Sequence, residues 1–230
     1  MLPQDRMGQR ILFTPGPLTT TDTVREAMRV DIGSWDRDCI TVTQEIRQGL
    51  VALVKGGTDL QCTPMQGSGT FAVEAVLGSA VPASGKLLVL SNGAYGQRMK
   101  LMADALRLPC VFLEDPEDQP HRPDRLDSVL KKDSEITHVA CVHCETTTGL
   151  LNPIRDLGHV VSQHQRHLIV DAISTFGAYS MGRGEEIDFD VGPIDHLILS
   201  ANLGLEGRPD VPLYCPPVRL FSKPRGLLVV

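Results

Sequence analysis

Four short runs rich in valine, isoleucine and leucine limit the folds open to this chain. They cover residues 86–91, 137–143, 167–174 and 196–200. Each run is almost continuously apolar, whereas a strand with one face in water alternates apolar and polar side chains. The runs therefore predict buried strands of a parallel sheet that has helices on both faces.

Segments with the apolar spacing of a helix lie around and between these runs. They cover residues 42–53, 71–77, 97–106, 126–131 and 157–164. Alternating strands and helices are typical of an α/β fold with a doubly wound sheet. In such a sheet ligands bind beyond the carboxyl ends of the strands, so the residues that follow each run are candidates for a functional site.

Composition and charge argue against several classes of function. Of the 230 residues, 42% are hydrophobic and 22% are charged, which is ordinary for globular proteins and unlike disordered or fibrous chains. The net charge is −6 without a basic block, so neither nucleic acid nor a membrane is an expected partner. The sequence contains no membrane-helix stretch and begins with no signal-type segment. We expect a cytoplasmic protein.

The six cysteines are expected to be reduced thiols rather than a disulfide framework. Cys141 and Cys144 form a C-x-x-C pair, but the nearby His138 and His143 lie on the same short segment. A zinc site needs a second pair of ligands at a suitable spacing. We therefore interpret this segment as a strand and expect no metal.

A glycine-rich string, QGSGT at residues 66–70, precedes the helical segment that begins near Phe71. Its glycines allow close backbone approach, Ser68 and Thr70 add hydroxyl groups, and the following helix directs its amide end toward the loop. The combination suits a phosphate group, but it also suits a plain turn with a helix cap. The spacing matches neither the dinucleotide fingerprint nor the mononucleotide loop.

Asp171 directly follows the apolar residues 167–170, so it is either a helix cap or a buried carboxylate with a cationic partner. Residues 92–96 and 143–149 also follow strands, and each could be a simple polar turn. All these groups, with QGSGT, fall at the same end of the predicted sheet. We expect their side chains to converge there.

Six strings in the chain resemble one enzyme family. They are TPGPLTT (14–20), QGSGT (66–70), SNGAYGQRM (91–99), HCETTTGLLNPI (143–154), VDAISTFG (170–177), and SAN with LEG (200–207). Together they are similar to the 2-aminoethylphosphonate:pyruvate aminotransferases. That family belongs to the fold-type I transferases that depend on pyridoxal 5′-phosphate, as do the alanine:glyoxylate aminotransferases. The resemblance covers roughly residues 10–207.

The resemblance implies a fold and a set of site residues. The fold would be the large domain of a fold-type I transferase, with a mostly parallel sheet. Ser68, Gly69 and Thr70 would hold the cofactor phosphate, and Tyr95 would stack on the pyridine ring. Thr146 would lie near the phenolic oxygen of the ring. Asp171 would pair with the pyridinium nitrogen, which makes it the catalytic carboxylate. Asn202 completes the implied cofactor-binding set.

The chain departs from the family pattern at one decisive position. The family has a lysine directly after Ser-Ala-Asn, and its amine forms the Schiff base with the cofactor. Here that position is Leu203. The chain has six lysines, at positions 55, 86, 100, 131, 132 and 223, and only the last lies downstream.

The segment 208–230 differs in kind from the rest, because it holds five of the 16 prolines. Proline breaks helices and removes donors from strand ladders, so we expect an extended or poorly ordered tail without a core strand. We divide the chain into a large domain, 1–207, and this divergent tail. The family's small C-terminal domain would then be missing, as in a truncated or frame-shifted longer enzyme.

Three hypotheses for the function remain open. The first is transfer of the amino group of 2-aminoethylphosphonate to pyruvate in phosphonate catabolism, giving phosphonoacetaldehyde and alanine, with an activity impaired by Leu203. The second is a catalytically silent scaffold that binds the cofactor without a covalent bond. The third is an alanine:glyoxylate or serine:pyruvate aminotransferase. The resemblance also implies a homodimer.

Overall fold

The computed structural model describes residues 11–12, 14, 16–54, 60–180, 185, 187 and 194–201, and the backbone of 226–229. Six helices lie in these ranges: α1 (Asp22–Ala27), α2 (Arg37–Leu53), α3 (Gly69–Ala80), α4 (Ala94–Ala105), α5 (Pro123–Lys132) and α6 (Ile154–Gln163). None of these helices is long and apolar enough to cross a membrane.

A seven-stranded sheet forms the centre of the described fold. Its strands are β1 (Leu60–Thr63), β2 (Lys86–Ser91), β3 (Cys110–Glu114), β4 (Ile136–Val142), β7 (His167–Asp171), β8 (His196–Ile198) and β9 (Gly226–Val229). They stand in the order β1-β9-β8-β7-β4-β2-β3, and every neighbouring pair is parallel. A short antiparallel pair, β5 (Cys144–Glu145) and β6 (Leu150–Leu151), follows β4.

Both faces of the sheet are covered, which confirms the predicted α/β fold. Leu88 and Leu90 of β2 pack into a core cluster with residues of α2, α5 and α6. Leu87 and Val89, on the other face of the same strand, join α3 and α4 in a second cluster. Because both sets of side chains are buried, the strand needs an unbroken apolar sequence.

The four apolar runs all form strands, but three of them end earlier than predicted: 137–143 ends at Val142 and 196–200 at Ile198, and 167–174 is shortened the most. The run 167–174 is a strand only as far as Asp171. The carboxylate of Asp171 accepts a hydrogen bond from the backbone N–H of Ile173, which closes a turn directly after the strand. This turn places the acid at the carboxyl edge of the sheet.

The expectation that segment 208–230 contributes no core strand is wrong for its last part. The strand β9 lies between β1 and β8 and pairs with both. The physical reason is local, because residues 226–229 contain no proline and can donate to both neighbouring strands. The rest of this segment lies outside the described residues, and the division at residue 207 stays a prediction.

Candidate functional site

A pocket of about 210 Å³ opens at the carboxyl edge of the sheet. Its lining comes mainly from the ends of β4 and β7 and the residues that follow them and β8, and from the N-terminal parts of α3 and α4. The lining residues are Gly16, Ser68, Gly69, Thr70, Val73, Tyr95, Arg98, Met99, Met102, Val142, Cys144, Thr146, Asp171, Ile173, Ser174 and Ser200. The structure therefore brings six of the predicted cofactor-binding residues into one pocket.

The start of α3 forms one wall of the pocket. Ser68 is the N-cap, and its hydroxyl accepts the backbone N–H of Phe71 at 3.3 Å. The first N–H groups of a helix have no acceptor within the helix, and they favour an anion. Gly69 is needed for close packing, since a Cβ at this position would lie 2.6 Å from the Cδ1 of Ile173. The glycine-rich string is thus both a capped turn and the edge of a pocket.

Asp171 is a buried acid that lines the same pocket from the end of β7. Only 5% of the residue is exposed, and its Oδ1 accepts the N–H of Ile173 at 2.9 Å. Burial and, to a smaller extent, the negative charge of Glu145 raise the pKa of Asp171 to about 7, against the opposing effect of the Ile173 hydrogen bond. Among the described residues no lysine or arginine forms an ion pair with this carboxylate. A ligand that carries a protonated nitrogen would supply that partner.

Tyr95 and Arg98 lie in the first two turns of α4, beside the start of α3. The guanidinium of Arg98 lies 5.1 Å from the centre of the Tyr95 ring, within the range of a cation–π contact. It also donates to the hydroxyl of Thr70 at 3.3 Å. Our sequence interpretation missed Arg98, although its place three residues after Tyr95 puts both on one face of a helix. Among the described residues Arg98 is the cation that lines the pocket.

Thr146 lies in the turn between β5 and β6. The backbone carbonyl of Glu145 accepts the N–H of Gly149 at 2.8 Å, which closes this turn, and Gly149 has a φ of +75° that glycine adopts without strain. Glu145 itself is fully buried, and sequence interpretation missed it as well. Its position in a polar string beside Thr146 gave no sign that the carboxylate would turn inward.

The two cysteines of the C-x-x-C pair lie in different environments. Cys141 is fully buried within β4, where burial raises the pKa of its thiol to about 12. Cys144, in contrast, lines the pocket. Within the described ranges no group of three or more histidine, cysteine, aspartate or glutamate side chains has an arrangement suited to a metal ion.

Two predicted positions, Asn202 and Leu203, lie outside the described residues. Of the six lysines, Lys86, Lys100 and Lys131 form ion pairs with acids away from the pocket. No lysine in the part of the chain that the structure describes lines the pocket. The described pocket thus offers binding groups for a phosphate and for a cationic ring, without an amine to attach the ligand.

Gly93 supports the site through close packing, and replacing it should destabilise the fold. A Cβ on Gly93 would lie 2.3 Å from the Cγ and 2.6 Å from the Cδ of the buried Glu145, so the Glu145 side chain would have to shift. We expect Gly93→Ala to lower the free energy of unfolding by about 1–3 kcal/mol, as overpacking does. Urea unfolding measures the change.

The matched control is Gly49→Ala in the C-terminal half of α2. No described atom lies within 4 Å of a Cβ at Gly49, so alanine should stabilise the helix by up to about 1 kcal/mol. A Gly93→Ala protein that unfolds at the urea concentration of the parent would contradict the close contact.

Known proteins match this chain in sequence and in structure. The 2-aminoethylphosphonate–pyruvate transaminase of Pseudomonas putida is 47% identical over 199 residues, which are 86% of this chain and 52% of that protein. The Pseudomonas aeruginosa protein of the same name gives the same identity and the same coverage. The chain thus spans about half the length of the curated relatives it matches. No protein-family model matches it.

Solved structures share the fold. The pyridoxamine–pyruvate aminotransferase of Mesorhizobium loti is 25% identical with a TM-score of 0.76, covering 87% of this chain and 49% of that one. The alanine–glyoxylate aminotransferase of Nostoc sp. is 24% identical with a TM-score of 0.74, covering 90% of this chain and 55% of that one. At this level of identity the second likeness concerns the fold alone.

Proposed function

Because this chain belongs to the family of the 2-aminoethylphosphonate–pyruvate transaminases, we propose that its pocket binds pyridoxal 5′-phosphate and serves amino transfer. The amino donor would be 2-aminoethylphosphonate and the acceptor pyruvate, as in the names of the relatives. The products would be phosphonoacetaldehyde and alanine, which places the reaction in phosphonate catabolism. The third hypothesis, an alanine:glyoxylate or serine:pyruvate aminotransferase, has weaker support because the alanine–glyoxylate neighbour shares only the fold.

One observation carries this proposal. A single pocket joins a helix start suited to a phosphate with a buried acid suited to a protonated ring nitrogen. A dianionic group and a cationic ring on one molecule are the features of the phosphorylated pyridine cofactor. The donor set therefore fits the cofactor at both of its ends.

Each pocket residue has a part in holding the cofactor. The first turn of α3, with Ser68, Gly69 and Thr70, would bind the phosphate. Tyr95 would cover the ring and Thr146 would donate to its phenolic oxygen. Asp171 would keep a proton on the ring nitrogen, because an ionised carboxylate in a buried place favours a cationic neighbour. When bound, the cofactor supplies an electron-accepting ring for bond cleavage at the amino donor.

Leu203 determines what this chain does with the cofactor. A leucine can neither form a covalent link nor carry a proton between substrate carbons. We therefore propose reversible, non-covalent binding and an amino transfer far slower than in a chain with the lysine. The catalytically silent scaffold is the second candidate, and Leu203 is the observation that favours it.

A cytoplasmic homodimer completes the proposal. Support for the dimer comes from an apolar surface at the α1–α2 connection, where Trp35 is 90% exposed and Val30 is 66% exposed. Contiguous exposed apolar side chains mark association surfaces, and we propose that these sequence neighbours form such a patch. A second copy of this chain is the proposed partner.

Equilibrium dialysis tests the proposed function. Pyridoxal phosphate should bind reversibly in a one-to-one ratio, and pyridoxal, which lacks the phosphate, should bind much more weakly. Alanine formation from 2-aminoethylphosphonate and pyruvate, measured on the same sample, separates slow transfer from a silent scaffold. Equal affinities for the two compounds would show that the start of α3 does not bind the phosphate. If neither compound bound, the proposal would be refuted.

A further inference from the structure

Glu145 is a fully buried carboxylate that the proposed function has not yet used. It ends β5, and 0% of its surface is exposed. Its Oε2 accepts the backbone N–H of Tyr95 at 3.1 Å, and its Oε1 accepts the hydroxyl of Thr147 at 2.9 Å. Burying an ionised group costs free energy unless hydrogen bonds compensate, so both oxygens are satisfied here.

The bond to Tyr95 replaces a helix cap. Gly93 is the N-cap of α4 and has no side chain that could accept the first N–H groups of the helix. The Glu145 carboxylate reaches across from another element and takes the N–H of Tyr95 instead. A negative charge at a helix start is stabilising. The missing Cβ of Gly93 leaves the room that this carboxylate needs.

The same residue closes the turn that carries Thr146. The backbone carbonyl of Glu145 accepts the N–H groups of Thr148 and Gly149 at 3.2 and 2.8 Å. The side chain and the backbone of one residue thus connect the start of α4 with the β5–β6 turn. Tyr95 and Thr146, which line the pocket from these two elements, are held at fixed places relative to each other.

The negative charge of Glu145 also affects the pKa of Asp171, the buried acid of the pocket. Burial is the main cause of the raised pKa of Asp171, and the negative charge of Glu145 acts in the same direction. The neighbouring thiol of Cys141 is a neutral group, because burial and then the charge of Asp171 raise its pKa to about 12. The N–H of Ile173 acts in the opposite sense and favours the ionised form of Asp171. A negative Glu145 therefore raises the pH at which Asp171 ionises.

We propose that Glu145 is a positioning residue that fixes Tyr95 and the Thr146 turn around the ring of pyridoxal phosphate. The inference rests on the proposed function, because it assigns Glu145 a part in binding that compound. It assigns no contact between Glu145 and the ligand. Glu145 acts on ligand binding indirectly. It holds the backbone of Tyr95 in place, and its negative charge raises the pKa of Asp171.

Glu145→Gln and Glu145→Ala separate the two effects. The glutamine keeps the shape and one oxygen for the Tyr95 N–H but loses the charge, whereas alanine loses both hydrogen bonds. We expect Glu145→Ala to weaken binding of pyridoxal phosphate by about 10- to 100-fold, as for a buried charged hydrogen bond. Glu145→Gln should stay within about 10-fold of the parent. Equilibrium dialysis gives the affinities.

The pH profile of binding distinguishes positioning from a merely structural role. In the parent, binding should weaken as the pH falls and Asp171 takes up a proton. Glu145→Gln lowers the pKa of Asp171, so the midpoint of this loss should move to lower pH. The ionisation of the ligand is the same in both experiments and cancels. Loss of stability alone would change the urea midpoint and leave the pH midpoint in place.

Glu135→Gln is the matched control. Its side chain is 80% exposed at the opposite edge of the sheet, next to Lys86. It should bind pyridoxal phosphate like the parent, with the same pH midpoint. A parent that does not bind the compound refutes the proposed function and this inference with it. If the parent binds the compound, but Glu145→Ala has the same affinity and Glu145→Gln has the same pH midpoint, the proposed role of Glu145 is wrong and the proposed function stands.

Discussion

Replacing Asp171 by asparagine should weaken binding of pyridoxal phosphate by about 100-fold or more, which is the effect of removing one partner of a buried ion pair. The amide has nearly the same shape as the carboxylate, so the pocket keeps its form. It has no charge to hold a proton on the ring nitrogen. Equilibrium dialysis above pH 7, where Asp171 in the parent is ionised, measures the difference.

The same substitution should stabilise the ligand-free protein. The pKa of Asp171 is raised from 3.8 to about 7 in the folded state, so the unfolded chain loses this proton at lower pH. The contribution of the residue to stability is therefore full below pH 3.8 and is lost as the pH rises toward 7. Asparagine does not titrate. Above pH 7, Asp171→Asn should therefore raise the free energy of unfolding by on the order of a few kcal/mol.

Asp124→Asn provides the control for both effects. Its carboxylate is 66% exposed and pairs with Arg122 on the surface, so binding should not change. If Asp171→Asn bound pyridoxal phosphate as tightly as the parent, the ring nitrogen would not face this acid. The assignment of the pocket would then have to be abandoned.

Replacing Leu203 by lysine should convert reversible binding into a covalent attachment. Position 203 follows Ser200, which lines the pocket, by only three residues, and three residues span at most about 10 Å. After reduction with borohydride and dialysis, the variant should retain close to one pyridoxal phosphate per chain. The parent should retain almost none. Mass spectrometry of the modified peptide identifies the attachment site.

Leu203→Met is the matched control, since it adds a long side chain without an amine. It should lose the compound on dialysis as the parent does. If the lysine variant bound reversibly but retained nothing after reduction, position 203 would not be the place of the family's lysine. Attachment at Lys223 in the parent would refute the proposal of non-covalent binding.

The sequence allowed the framework of the site to be predicted. The runs of Val, Ile and Leu identified β2, β4, β7 and β8, and the parallel arrangement predicted that Ser68, Tyr95 and Asp171 would converge. The structure brings all three to one pocket. Their roles toward the cofactor are still predictions.

Other parts of the fold gave too weak a signal. The strand β1 has four residues with mixed polarity, and β9 follows a series of prolines, so neither shows the pattern of a core strand. Arg98 and Glu145 owe their importance to partners on other elements, Thr70 and Tyr95 respectively. Such long-range pairs have no periodicity along the chain, and composition alone does not show which charged side chain turns inward.

The start of α3 and the nearby guanidinium of Arg98 also have a practical consequence for the choice of buffer. Helix starts with an adjacent cation bind inorganic anions as well as organic phosphates. On the proposed assignment of the cofactor phosphate to this helix start, phosphate and sulfate salts should compete with the cofactor, and affinities measured in them should come out too low. Solutions buffered by a simple protonated amine, with chloride as the counterion, contain no tetrahedral anion that could occupy this edge of the molecule.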